Sequence, residues 1–362
     1  MASSVHRWDD MRVYYKEANA LSKEHELRLV AVGDPNTVDT PDQDIEVVRL
    51  AGGNGLRGRL RRILEIIKRV LNDEYDVFHF HDPELLPVGW IAKIRGRKVL
   101  YDMHENALIM LLRRRWIPWP LALPVGLSTR VVELLSLFVF DGFILAERWY
   151  QRVFKTAKCR TVLNYPMTGT TYEPGVREAG SHLDLVYVGS LTTARGITDL
   201  IEAVSDLQAE GSSLKLHLYG KIDEEEVERK LSEHSAASWL HFHGWLAGEH
   251  VLQELSQYHV GVSPLRNKPG YRHSLPTKIL EYAVAGLAII ASDLPASKNI
   301  VDELGCGITY KANDIVDLKK AIRALNDERE RQLVVNSRHS SMQSYSWASQ
   351  ELELLKLYRE LQ

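Results

Sequence analysis

The chain is poor in cysteine: Cys159 and Cys306 are the only two in 362 residues. So few, and so far apart, they exclude a disulfide framework and a cysteine zinc site, and they fit a reducing compartment. Long apolar runs are also missing. No stretch reaches the ~20 residues needed to span a bilayer. The opening MASSVHRWDD turns polar within a few residues, unlike a secretory signal. The expectation is a cytoplasmic protein, with a first strand so short that the natural start could lie upstream. Net charge is only −3, so no global basic field points to nucleic acid.

What is present reads as an ordinary globular chain, 45% apolar and 26% charged, with a length that suits two domains. Short β-rich runs alternate with helical patterns. LRLVAVG (27–33), DVFHFHD (76–82), KVLYDMHE (98–105), DGFILAE (141–147) and RTVLNYP (160–166) read as strands. Helical spacing fills 9–24 and 57–74. A Pro-, Gly- and Thr-rich stretch at 166–182 reads as a linker. The alternation then restarts with strands at 183–190, 214–220, 239–245, 258–264, 287–292 and a short 307–310, and closes on helices ending at 346–362. Strands alternating with helices mean βαβ units and parallel sheets. The expected fold is α/β, two Rossmann-like doubly wound domains: 1–165 with 346–362 packing back, and 166–345.

Ligands of such sheets bind at the carboxyl ends of the strands. Gly, His, Arg and Lys concentrate there in both halves, which suggests one cleft between two facing domains. In VYVGSLTTARGITDLIEAV (186–204) a strand meets a Gly turn and a helix start beside Arg195. That arrangement favours an anion, although it is neither the dinucleotide nor the P-loop pattern. The alternative is a plain turn with a solvated arginine. No dinucleotide fingerprint follows a strand elsewhere, which disfavours a nicotinamide dehydrogenase. In HSLPTKILEYAVAGLAIIAS (273–292), Pro276 suits a first helical turn and Gly286 a helix end. Free N–H groups near Leu275, Thr277 and Lys278 would hold a phosphate. Glu281, one turn further in, would accept ribose hydroxyls. Its apolar flanks imply burial, and a buried carboxylate needs partners. A surface glutamate on an amphipathic helix is the other reading.

EYAVAGLAIIASD (281–293) resembles the run EAMAxGxPVIAS of the family 4 GT-B glycosyltransferases, the glycosyl transferases group 1. The resemblance covers essentially the whole chain. It places Glu281 on the second glutamate of a Glu-x7-Glu motif, the ribose binder, with His273 where the first glutamate stands. GSLTTARG (189–196) is similar to GRxxxxKG, with Gly189 kept, Ser190 in place of arginine and Arg195 in place of lysine. Arg195 and Lys278 become the diphosphate candidates. The loop NKPGYRHSLPTK (267–278) takes the position of the donor-phosphate loop, so that His273, Ser274, Leu275, Pro276, Thr277 and Lys278 are donor-side residues. In the first half, 3–32 and 76–105 resemble the acceptor domain. His104 in YDMHE falls on the histidine near sugar and acceptor, with His81, Asp82 and Glu105 as acceptor-side residues. The resemblance implies transfer with retention from a UDP- or GDP-sugar to a hydroxyl of a glycan or lipid-linked acceptor, in cell-surface polysaccharide biosynthesis. It implies no cofactor and no metal. His104, Arg195 and Lys278 are the residues expected to carry the chemistry. Two rivals share the architecture: a non-catalytic sugar-nucleotide-binding partner of another transferase, and a non-hydrolysing nucleotide-sugar 2-epimerase.

Two other features stand out. Each HFH pair, 79–81 and 241–243, puts two histidines on one strand face, as a metal would need. Neither has an obvious third ligand nearby, and hydrogen-bonded strand-end histidines are the favoured reading. ALIMLLRRRWIPWPLALPVGL (107–127) joins three arginines, two tryptophans and many leucines, as in an interfacial anchor on an anionic membrane; a core helix with solvated arginines fits as well. Arg57, Arg59, Arg61 and Arg62 make a second basic cluster. A peripheral position on the inner face of the plasma membrane would follow from these two clusters.

Overall fold

A computed structural model describes residues 1–37, 44–53, 55–104, 119–156, 158–167, 182–336 and 344–361, apart from the side chains of 119–122 and 249. The chain forms two compact units, Met1–Asn164 with Trp347–Gln362, and Tyr165–Ser346.

Unit 1 is a parallel sheet of seven strands in the order β3-β2-β1-β4-β5-β6-β7. These are β1 (Ala2–Arg7), β2 (Leu27–Val32), β3 (Ile45–Leu50), β4 (Val77–Phe80), β5 (Lys98–Met103), β6 (Gly142–Leu145) and β7 (Cys159–Thr161). β3 was not among the strands expected from sequence, and β1 was expected only as a short first strand. β1 is central yet polar because its serines are satisfied across the sheet: Ser3 Oγ and Ser4 N donate to Asp82 Oδ2 at 2.8 and 2.7 Å. The segment expected to be one helix over 9–24 starts later, as a π-helical turn, Val13–Ala18, that runs into α1 (Asn19–Ser22). Asp10 Oδ1 accepts the N–H groups of Arg12 and Val13 and sets that start.

Helices cover both sheet faces of unit 1, so its strands read as near-continuous apolar runs. On one face α2 (Gly55–Asn72), α3 (Leu86–Ile94) and α4 (Trp119–Val139) lie side by side, with Ile66, Val70, Val88 and Phe140 in the core beneath them. On the other, α1 and the last helix pack against Leu29, Leu100 and Ile144.

Unit 2 is a six-stranded parallel sheet, β10-β9-β8-β11-β12-β13. Its strands are β8 (Leu183–Val188), β9 (Leu214–Tyr219), β10 (Leu240–Gly244), β11 (Val260–Ser263), β12 (Ala288–Ser292) and β13 (Gly307–Tyr310). Its helices are α5 (Ile197–Ala209), α6 (Glu225–Glu233), α7 (Val251–Leu255), α8 (Thr277–Val284), α9 (Pro295–Leu304), α10 (Ile315–Asn326) and α11 (Glu328–Asn336). α12 (Trp347–Arg359) returns to unit 1, where Arg359 pairs with Glu24 and Tyr358 lies 2.8 Å from His79. Each strand order reverses once, between β1 and β4 and between β8 and β11. Those are the points where doubly wound sheets open a crevice for ligands.

Candidate active site

The carboxyl ends of β8, β9 and β10 open onto a cavity of about 370 Å³. That volume lies in the range of small-molecule sites. Gly189, Ser190, Arg195 and Lys278 line it, together with Tyr219, Gly220, Lys221, Asp223, Trp245 and Leu246. The turn after β8 is held tightly. Gly189 N donates to Tyr219 O at 2.8 Å, Leu191 N to Lys221 O at 2.8 Å, and Thr192 Oγ1 accepts from Arg195 N at 3.2 Å. Gly196, at φ +75°, passes so close to the Pro264 carbonyl that a Cβ would overlap it. The turn therefore fixes where Arg195 stands.

Arg195 is half-buried and hydrogen-bonds to Tyr187 and Tyr271. Lys278 reaches the same wall from the first turn of α8, with Nζ 5.8 Å from the Tyr187 ring centre. Burial lowers the Lys278 ammonium from its usual range. Glu281 works against that and Arg195 adds to it. Two cations held close together at a strand-end turn make a site that an anion would stabilise. Trp245 is 64% exposed at the rim, an apolar plate open to a flat ligand.

The expected donor residues are therefore split. Gly189, Ser190, Arg195 and Lys278 meet in the cavity. His273, Ser274, Leu275, Pro276, Thr277 and Glu281 are not among its lining residues. His273 is exposed, and Ser274 Oγ is spent on Gly270 O at 2.6 Å. Thr277 N, expected to be free, donates to Leu275 O at 3.0 Å, because the chain turns tightly before α8. Glu281, expected to be buried, is half-buried on α8 and carries no side-chain hydrogen bond among the described residues. Lys221 and Trp245 line the cavity although nothing in their sequence spacing marks them.

In unit 1 the ends of β4 and β5 hold a buried polar cluster. Nε2 of His104, half-buried, lies 2.7 Å from Asp102 Oδ2. Arg12 brackets Asp102, with Nη2 3.2 and 3.1 Å from its two oxygens, and Arg12 Nε is 2.8 Å from Glu17 Oε1. The π-helical turn produces this: Glu17 N donates to Arg12 O at 2.9 Å, five residues back, and both side chains face inward. Burial works against the charge on Asp102, but Arg12 and His104 outweigh it and hold its carboxyl well below the usual range. Burial, with the neighbouring Asp102, pushes Glu17 well above it.

Glu17, His79, His81 and Asp102 each bring one potential ligand atom within 4.8 Å of the others. The local third ligand that the 79–81 pair lacked in sequence is thus supplied from elsewhere in the chain. A fixed cation, the guanidinium of Arg12, already contacts both carboxyl groups of the four, and the cluster reads as an ion-paired network. The 241–243 pair lies on β10, where His243 Nε2 approaches His217 Nδ1 at 3.0 Å.

His81 is buried behind His104, 3.3 Å from its Nε2. Asp82 is buried, and its oxygens are occupied by Ser3, Ser4 and His6. Glu105 and residues 107–118 lie outside the described residues. Of the second basic cluster, Arg57 and Arg61 are exposed, Arg59 pairs with Glu84 at 3.0 Å, and Arg62 is buried, donating to Ser4 O at 2.7 Å. Among the described residues no helix is long and apolar enough to cross a membrane.

Residues 182–328 match the family model described as glycosyl transferases group 1, and residues 12–162 match that of a glycosyl transferase 4-like domain. No curated relative matches the chain by sequence. Among solved structures, it is similar to sucrose-phosphate synthase from Thermosynechococcus elongatus, with a TM-score of 0.73 and 18% identity over 96% of this chain and 91% of that one. It is also similar to HepE of Anabaena, solved with UDP and glucose, with a TM-score of 0.71 and 14% identity over 94% of each chain. WaaG, a glycosyltransferase involved in lipopolysaccharide biosynthesis, has a TM-score of 0.67 and 13% identity over 93% of this chain and 92% of that one. With both halves matched and each folded as a parallel α/β sheet, the chain belongs to the glycosyl transferases group 1, the family 4 glycosyltransferases of GT-B fold.

Proposed function

We propose that the protein moves a sugar, with retention, from a UDP- or GDP-sugar to a hydroxyl of a glycan or lipid-linked acceptor in cell-surface polysaccharide biosynthesis. The observation that carries this reading is the cavity at the ends of β8, β9 and β10, where Arg195 and Lys278 stand together below an exposed Trp245. The cations suit a diphosphate and the indole suits a base. Glu281 is the ribose acceptor, and the loop from His273 to Lys278 is the donor-phosphate loop. HepE was solved with UDP-glucose, which makes uridine the first base to try.

In the reaction, the acceptor oxygen bonds to the anomeric carbon while the bond from that carbon to the diphosphate breaks. The acceptor proton passes to an oxygen of the leaving diphosphate. Negative charge grows on the diphosphate, and Arg195 and Lys278 stabilise it where it grows, without a metal. In unit 1, His104 meets a hydroxyl of the sugar or acceptor, while His81 and Asp82 support it from behind.

A lipid-linked acceptor is supported by the outer surface of unit 1. Leu123, Leu127, Val131, Leu135 and Phe138 form one exposed stripe on α4, and Leu56, Leu60 and Leu64 another on α2, beside exposed Arg57 and Arg61. An apolar surface edged with cations fits the headgroup boundary of an anionic leaflet. Flotation with anionic vesicles, and its loss with neutral ones, tests that placement.

Thermal unfolding against UDP, GDP, ADP, CMP and their common sugars tests the donor site. A ligand at about 100 times its dissociation constant adds about 2.7 kcal/mol, which a melt resolves. A shift with one base, lost in Lys278→Ala, is the expected result. No shift with any nucleotide overturns the reading.

A further inference from the structure

The contacts of His104 Nε2 contain a conflict that a proton on Nε2 resolves. Three groups crowd that nitrogen: Asp102 Oδ2 at 2.7 Å, Arg12 Nε at 3.1 Å and His81 Nδ1 at 3.3 Å. A nitrogen that accepted from Arg12 would set its lone pair against a carboxylate oxygen. Asp102 is fully buried and bracketed by the guanidinium, so it is the ionised acceptor and does not supply the missing proton. The proton therefore sits on Nε2 and points to Asp102. Arg12 Nε then donates to the same carboxylate oxygen, 3.3 Å away. Charge balance agrees: the cluster holds one cation and two carboxyl groups, and Glu17, fully buried beside Asp102, is the group left to carry a proton. The other ring nitrogen of His104, Nδ1, has no hydrogen bond to a described residue.

We propose that Asp102, set in place by Arg12, is a positioning residue that fixes His104 as the Nε2–H tautomer and leaves Nδ1 as an acceptor for a hydroxyl of the bound sugar or acceptor. A ring nitrogen's protonation is set by the hydrogen bond its partner nitrogen makes. This rests on the reading that His104 lies at the transfer site. Protonated on Nε2, the ring accepts a hydroxyl proton's hydrogen bond at Nδ1 and aligns the hydroxyl. In the opposite tautomer Nδ1 would donate, and the hydroxyl would turn away.

Two measurements on the full chain decide it. Histidine labelled with nitrogen-15, with the His104 signals assigned by their loss in His104→Ala, reports which ring nitrogen bears the proton in the wild type. Protonated Nε2 and bare Nδ1 are expected. Protonated Nδ1 overturns the proposal whether or not any variant folds. In Asp102→Asn the amide can donate to Nε2 and drive the proton to Nδ1. Turnover should fall about a hundredfold with little change in donor KM, and the nitrogen signals should exchange character. A folded Asp102→Asn protein with unchanged turnover and unchanged tautomer overturns the role of Asp102. Unchanged turnover in His104→Ala removes His104 from the transfer site itself, and the catalytic half of the proposal with it.

Discussion

Gly189 and Lys278 occupy adjoining space so closely that a Cβ built on Gly189 would lie 2.5 Å from Lys278 Nζ. Gly189 also sits at φ +138°, a conformation L side chains rarely adopt. The missing side chain therefore lets a lysine from α8 lie against the turn after β8. Gly189→Ala should cost about 1–3 kcal/mol of stability through strain, and it should displace the ammonium. Donor affinity should drop with it. The double variant with Lys278→Ala should lose less affinity than the two single losses added together, because both remove one contact. Calorimetric titration of the four proteins measures this, and additive losses would separate the two residues.

Arg195 and Lys278 are assigned to phosphate by their charge and their shared wall. Replacing either with alanine should weaken binding of the nucleoside diphosphate by about 1.5–3 kcal/mol, the range for a hydrogen bond to a charged group. Binding of the bare nucleoside, which offers no phosphate, should be unaffected. Equal losses for nucleoside and nucleoside diphosphate would place both cations away from the diphosphate.

Trp245 and Glu281 make the opposite prediction. If the indole stacks on the base, Trp245→Ala should cost about 1–3 kcal/mol for nucleoside and diphosphate alike. Glu281→Gln should cost about 1–2 kcal/mol, and the loss should disappear with the 2′,3′-dideoxy nucleotide. The half-burial of Glu281 is why this figure is modest.

Much of this was legible in the sequence, for reasons that differ by residue. β8 reads as LDLVYV because both sheet faces are covered, so its apolar run is nearly unbroken. Gly189 and Arg195 follow from its end, since a parallel strand must turn there. Asp102 was not singled out from sequence, although it is a carboxylate inside the apolar strand KVLYDM, and its partners leave no mark there. Arg12 and Glu17 are five apart, a spacing that an α-helix would send to different faces. Only the wider π turn brings both inward. β1 was legible only as a short first strand, because its polar serines are satisfied by Asp82, 78 residues from Ser4. Trp245 could not be read as a rim residue, because exposure at a strand end depends on what the neighbouring loops leave open.

The buried cluster of unit 1 should also govern stability against pH, in two opposite directions. Burial lowers His81 from 6.5 to about 4, and lowers His79 well below 6.5. Both are neutral in the folded chain and would take up a proton on unfolding. Their contribution is therefore complete above pH 6.5 and is lost as pH falls from there towards the folded value. For His81 the gap corresponds to about 3 kcal/mol. Asp102, held below its ordinary 3.8 against burial by Arg12 and His104, adds to the same acid loss at lower pH. Glu17 has the reverse sign. Burial and the charge of Asp102 raise it above 4.5, so its contribution is complete below 4.5 and is lost as pH rises through the folded value. The charged and titratable groups facing it are Arg12, Asp102, Asp10, His79, His81 and Tyr358. Glu17→Gln keeps a neutral polar group in place and removes that titration. Its melting temperature should exceed the wild type's at pH 8 and approach it at pH 5, while the acid limb set by His79 and His81 remains. Urea midpoints from pH 4 to 8 give both limbs. Parallel curves for Glu17→Gln and wild type would mean that Glu17 is ionised in the fold, and the charge balance drawn for Asp102 and His104 would fall with it.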